Sequence, residues 1–137
     1  MKIKFDSQGN LIRNNNNVNQ KKYNVYAVVG NRKGFSEDRV HTILKREIPC
    51  GAIIISGGAI GVDTYAKNYA RLNGHPFVEY RPDFSLGFPG CYFDRNLKIA
   101  KKCDVIIAFD NKGLQSGTGN TVRAARDLDK KIIIIES

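Results

Sequence analysis

Eight consecutive residues, Ser56-Gly57-Gly58-Ala59-Ile60-Gly61-Val62-Asp63, place three glycines and a carboxylate directly after the apolar run 52–55. A second cluster, Ser116-Gly117-Thr118-Gly119-Asn120-Thr121, follows the apolar run 105–109 and adds hydroxyls and an amide. Glycine lets a backbone turn tightly and come close to a ligand with no Cβ in the way. Each cluster is followed by a helical pattern, so each aims backbone N–H groups and the positive end of a helix dipole at one spot. The chemistry this suits is anion binding, and the natural anion is the phosphate of a nucleotide. Ser116, Thr118, Asn120 and Thr121 around free N–H groups also describe an anion nest.

Further residues cluster with these turns. Gly30-Asn31-Arg32 closes the first apolar run, and Arg95-Asn96 follows a Pro/Gly-rich segment. Either arginine can contact phosphate in a bidentate manner. Asp63 has two readings. It is a first-turn aspartate that complements a helix dipole, or a carboxylate that holds a ribose hydroxyl and serves as acid or base. It is the candidate catalytic residue. The aromatic residues of 84–93 are placed to stack on a base, whereas Tyr65 and Tyr69 read as core. His41 and His75 have no serine or cysteine partner in the pattern, so a triad has no support. The glycine spacing is not G-x-G-x-x-G, and no G-K-[ST] occurs, which disfavours ordinary NAD binding and ATP hydrolysis. No metal-ligand spacing is present and no cofactor is expected.

These residues need elements to position them. Residues 23–29 read as a strand, and 36–48 as a helix with Ser36 as N-cap and Glu37 and Asp38 in its first turn. Residues 52–55 read as a buried strand and 61–72 as a helix stopped by Asn73-Gly74. A strand follows at 77–80, a Pro/Gly loop at 81–90, a short helix at 94–102 and a strand at 105–109. A helix opening at Thr118 or Gly119 and ending near Asp129, then a strand at 131–135, complete the pattern. Strands alternating with helices pair in parallel through right-handed crossovers. The expected fold is α/β, a Rossmann-like doubly wound parallel sheet of about five strands with helices on both faces. Ligands in such sheets bind outside the carboxyl ends of the strands at the switch point, where all three polar turns fall.

The chain of 137 residues carries a net charge of +9. Residues 1–22 hold five basic residues and one acid; the remaining 115 hold 17 and 12. The excess attracts polyanions, although solvated Lys-rich faces produce the same count. Residues 1–22 read as an arm: 2–5 and 11–13 flank Ser7-Gln8-Gly9-Asn10 as a small hairpin, and the Asn-rich run from Asn14 to Lys22 is a linker. The domain proper is then 23–137. No apolar block approaches a membrane span or a secretory signal. Cys50, Cys91 and Cys103 read as reduced thiols, which points to the cytoplasm.

The combination Gly30-Asn31-Arg32, Ile54 to Asp63 with its S-G-G-A-x-G-V-D block, Gly90 through Arg95-Asn96, Asp104 to Phe109, and Ser116 to Thr121 resembles the SLOG superfamily, most nearly its YspA-like branch, over about residues 23–137. Relatives there include the DNA-processing protein A Rossmann domain, the LOG phosphoribohydrolases and molybdenum-cofactor carrier proteins. The resemblance implies a Rossmann-like fold, a nucleotide-derived ligand and homodimers. It also marks departures. LOG-type enzymes carry P-G-G-x-G-T-x-x-E, and here Arg123 stands near the glutamate's place; the first turn reads G-N-R where G-S-R is more usual. Three functions are open. The first is a sensor or carrier binding a nucleotide through Gly30, Asn31, Arg32, Ser56, Gly57, Gly58, Ala59, Gly61, Asp63, Arg95, Asn96, Ser116, Gly117, Thr118, Asn120 and Thr121. The second is a hydrolase splitting the base–ribose bond through Asp63. The third is weak single-stranded DNA binding by the arm and the face carrying Arg123, Arg126, Lys130 and Lys131.

Overall fold

The fold follows from the two-residue period of its central strands. In a computed structural model of the chain, which describes residues 4–5, 11–12 and 23–137, β3 (Val25–Gly30) lies at the centre of a five-stranded parallel sheet. Its neighbours are β4 (Ile53–Ser56), with β5 (Phe77–Glu79) beyond it, and β6 (Val105–Phe109), with β7 (Lys131–Ile135) beyond that. Alternate residues of the sheet serve opposite faces. Tyr26, Val28, Val105, Ile107 and Phe109 pack with Val40 and Leu44 of α1 (Glu37–Glu47) and with Val62, Ala66 and Tyr69 of α2 (Val62–Leu72). Val25, Ala27, Val29, Ile106 and Ala108 pack with Ile99 and Ala100 of α3 (Gly90–Lys102) and with Val122 and Ala125 of α4 (Gly117–Asp127). The sheet is doubly wound, as its alternating elements require.

Local chemistry sets the helix ends. Ser36 caps α1, its Oγ accepting from the Arg39 N–H at 3.1 Å. Ile48 ends that helix before Pro49, as a residue preceding proline must. At the foot of the sheet, Asp104 Oδ2 accepts from the N–H groups of Asn24 and Val25 at 2.8 and 2.9 Å, pinning β6 against β3.

Several boundaries differ from expectation; β3, for one, starts at Val25 and not at 23. The helix α3 begins at Gly90, four residues before the expected start, so Arg95 and Asn96 lie in its second turn instead of opening it. Pro89 takes the N-cap position, where a missing N–H costs nothing. A single 3₁₀ turn, Phe84–Leu86, interrupts the loop before it. The helix α4 begins at Gly117 and ends at Asp127, because Asp129 turns to a φ of 56°.

Nearer the N-terminus, β1 (Lys4–Phe5) pairs antiparallel with β2 (Leu11–Ile12), with Lys4 opposite Ile12. The expected turn at 7–10 and the linker at 14–22 lie outside the described residues. Among the described residues, no helix is long and apolar enough to cross a membrane.

Candidate functional site

The first polar turn is drawn into place by two glycines. Gly30 ends β3 where α2 crosses it, and a Cβ there would lie 2.6 Å from Val62 Cβ. Gly61, with a φ of 85°, precedes α2; a Cβ on it would meet the Arg32 carbonyl oxygen at 2.5 Å. Both therefore serve close packing of α2 against the end of β3. Ser56 is fully buried, and its hydroxyl donates to the Val28 carbonyl at 2.5 Å, fixing the end of β4 to β3.

Asp63 lies in the first turn of α2 and is 7% exposed. Its Oδ2 accepts from the Ala59 N–H at 3.3 Å, while its buried Oδ1 has no hydrogen-bond partner among the described residues. Burial pushes its pKa up to about 6, against the lowering pull of the Ala59 N–H, Arg95 and Ser56. Gly57 sits over this carboxylate. A Cβ at Gly57 would lie 2.7 Å from Arg95 Nη1 and 2.8 Å from Asp63 Oδ2, so the glycine opens the space in which those two charges face each other.

The second turn is tied to the first by Asn31, which is 5% exposed. Its Nδ2 donates to Asp110 Oδ1 at 3.0 Å and Ser116 Oγ at 3.1 Å, with Thr118 Oγ1 at 3.4 Å; its Oδ1 accepts from the Asn111 N–H at 2.7 Å. Asp110 Oδ2 in turn accepts from the Leu114 N–H at 2.6 Å. Leu114 has a φ of 64°, a costly conformation for a bulky residue, and Arg123 Nη1 holds its carbonyl at 2.8 Å. Gly119 is required here, since any Cβ would collide with that carbonyl. Ser116 takes the N-cap position of α4 without capping it, because its hydroxyl serves Asn31. The N–H groups of Gly117 and Thr118 consequently have no acceptor among the described residues.

Together the turns enclose a cleft of about 510 Å³ at the carboxyl ends of β3 and β6. This is the switch point, because α1 leaves β3 on one face and α4 leaves β6 on the other. Of the residues expected at the site, Gly30, Asn31, Arg32, Gly57, Ala59, Asp63, Arg95, Asn96, Ser116, Gly117, Thr118 and Thr121 line it. Ser56 is buried beneath it, Gly58 opens to an adjoining basin, Gly61 packs on Arg32, and Asn120 Oδ1 accepts from Asn96 Nδ2 at 2.9 Å. Lys112, Val29, Pro89 and Ile99 also line the cleft and carried no sequence signal. Tyr92 and Phe93 of α3 form an aromatic wall. Arg95 is held by Asn96 Oδ1 at 2.9 Å and the Tyr80 carbonyl at 3.3 Å, with its guanidinium carbon 6.0 Å from the Tyr92 ring centre. Arg32 and Lys112 are exposed and form no ion pair among the described residues. The other basic face is more committed: Arg123 holds Leu114, Lys130 Nζ donates to the Lys101 carbonyl, and Lys131 lies over the Tyr23 ring.

Residues 9–80, just over half of the chain, match the model of the family described as DNA recombination-mediator protein A. The chain belongs to that family. The DNA recombination-mediator protein A match runs through β5 and takes in Gly30-Asn31-Arg32 and the Ser56–Asp63 turn. It supports the resemblance at the level of the SLOG superfamily, whose Rossmann-like architecture the sheet order bears out. The α4 half of the cleft lies beyond the matched residues. No curated protein matches the chain.

Proposed function

We propose that the cleft binds the phosphate of a nucleotide or nucleotide-derived ligand. One observation carries this reading: two N–H groups at the start of α4, with no acceptor among the described residues, line the same cleft as the Asp63 carboxylate. They belong to Gly117 and Thr118 at the positive end of α4, while Asp63 stands in the first turn of α2. Helix N-terminal N–H groups need acceptors, and an anion supplies them. In this reading α4 and the cations Arg32, Arg95 and Lys112 hold phosphate. The Asp63 carboxylate accepts from a ribose hydroxyl, and the aromatic wall takes the base. Isothermal titration with inorganic phosphate and with nucleoside mono- and diphosphates tests it, and failure of every one to bind removes it.

A second reading is single-stranded nucleic acid, favoured by membership of a family described by DNA recombination and by cations beside exposed aromatics. Here the strand's phosphate takes the same cradle. Log affinity then falls with log salt at a slope of about −0.7 per phosphate neutralised, whereas a mononucleotide shows a shallow response. A third reading, cleavage of a base–ribose bond, rests on Asp63, whose raised pKa of about 6 suits an acid or base near neutrality. Release of free base that disappears in Asp63→Asn supports it. The homodimer and the cytoplasmic location belong to this proposal too, carried by the SLOG resemblance and the cysteine usage; light scattering in solution tests the dimer.

A further inference from the structure

The phosphate cleft continues into a second basin of about 440 Å³, which shares Arg32, Ala59, Tyr92 and Arg95 with it. Two aromatic residues, Phe84 and Tyr92, and two arginines, Arg32 and Arg95, are among those that line it. Phe84, 61% exposed, stands 5.9 Å from Phe88, which stands 5.7 Å from Tyr92, so these exposed rings form one cluster. Apolar rings this exposed beside a cleft are unusual on a small domain and mark a contact surface.

One carboxylate lies in the basin, that of Glu79 at the end of β5. Gly58 lets it approach: a Cβ at Gly58 would lie 3.1 Å from Glu79 Oε2. Arg81 Nε meets Oε2 at 2.9 Å, and Lys67 Nζ lies 3.9 Å from Oε1. Both cations are mostly exposed, so these are surface pairs of small net worth that leave lone pairs on the carboxylate for a ligand.

Resting on the phosphate reading above, we infer that this basin is a base-selective subsite, in which the base stacks between aromatic and guanidinium faces and Glu79 reads its hydrogen-bonding edge. A carboxylate only accepts hydrogen bonds. Guanine offers adjacent N1–H and N2–H donors that match its two oxygens. Adenine and cytosine offer one amino group. Uracil and thymine flank their single N–H with carbonyl oxygens, which a carboxylate repels. The subsite therefore favours guanine first and rejects uracil and thymine. The base belongs either to a free nucleotide or to the end of a nucleic-acid strand, since both present the same edge beside a phosphate.

Titration of the protein with GMP, AMP, CMP, UMP and ribose 5-phosphate tests the inference. The expected order of affinity is GMP, then AMP and CMP, then UMP, with GMP at least tenfold tighter than UMP. In Glu79→Gln, checked for folding by its melting curve, that ratio collapses towards unity, because an amide both donates and accepts. A short 5′-phosphorylated oligonucleotide starting with guanine, compared with GMP, separates the two sources: tighter binding assigns the base to a strand, and equal or weaker binding assigns it to a free nucleotide. Equal affinity for all four nucleotides and ribose 5-phosphate overturns the subsite while leaving the phosphate cradle standing. No binding by any of the five probes overturns both.

Discussion

The carboxamide of Asn31 donates to the hydroxyl of Ser116 at 3.1 Å, across 85 positions of sequence. This bond joins the end of the central strand to the residue that precedes α4, so the two polar turns form one rim. Ser116 does not cap its own helix, and the N–H groups of Gly117 and Thr118 have no acceptor among the described residues.

Asn31→Ala removes the partner of Asp110 Oδ1, a carboxylate in a residue only 3% exposed, and the acceptor of the Asn111 N–H. Loss of hydrogen bonds to a buried charged group costs about 1.5–3 kcal/mol. Urea unfolding should show a destabilisation of that size. A change below about 0.5 kcal/mol shows that the clamp does not hold the rim.

The glycines separate into two kinds. Gly30→Ala forces a methyl against Val62 and should destabilise the fold by about 1–3 kcal/mol, as overpacking does. In Gly117→Ala the added methyl meets nothing within 4 Å among the described residues. It should fold with unchanged or slightly raised stability, by up to about 1 kcal/mol, while weakening phosphate binding. Melting curves and phosphate titration on both variants check this, and normal phosphate affinity in a folded Gly117→Ala counts against the cradle.

Much of this arrangement was legible in the sequence. The strands 105–109 and 131–135 were readable to the residue because apolar runs, of five residues in the first and four after Lys131 in the second, admit few alternatives between polar turns. Ser36 with Glu37 and Asp38 marked the start of α1 by its capping chemistry alone. The start of α3 was hidden, because Pro89-Gly90 reads as a loop although proline also suits the first positions of a helix. That shift matters for the site, since it puts Tyr92 and Phe93 on a helix facing the cleft. Lys112 was invisible because a lone lysine in a loop has no pattern. The division of glycines into packing and open positions depends on contacts between α2 and β3, which no local spacing encodes.

Asp63 makes stability depend on pH in an uncommon direction. Its native pKa of about 6 lies above the ordinary 3.8, so the folded state binds the proton more tightly than the unfolded one. Stability from this group is full below pH 3.8 and is lost as pH rises through 6. The difference corresponds to a penalty on the order of 3 kcal/mol at neutral pH. Asp63→Asn removes the ionisation and keeps an acceptor for Ala59. It should raise the melting temperature at pH 8 relative to pH 4, compared with the parent. A parent protein whose melting temperature at pH 8 gains nothing from Asp63→Asn shows that the carboxylate is not strained in the fold.

Arg32→Ala and Lys112→Ala remove exposed cations that form no ion pair among the described residues, so stability should stay within about 0.5 kcal/mol of the parent. Each should weaken binding of a phosphorylated probe by roughly three- to tenfold and flatten its salt dependence. Unchanged salt dependence in the double variant places the anion elsewhere.

The most direct test of a shared cradle is an amide chemical-shift titration of the ¹⁵N-labelled protein with inorganic phosphate and GMP. The account predicts saturable shifts in Gly57, Gly117 and Thr118 together, with one common dissociation constant for each probe. Shifts confined to one of the two turns, or none at saturating probe, contradict it.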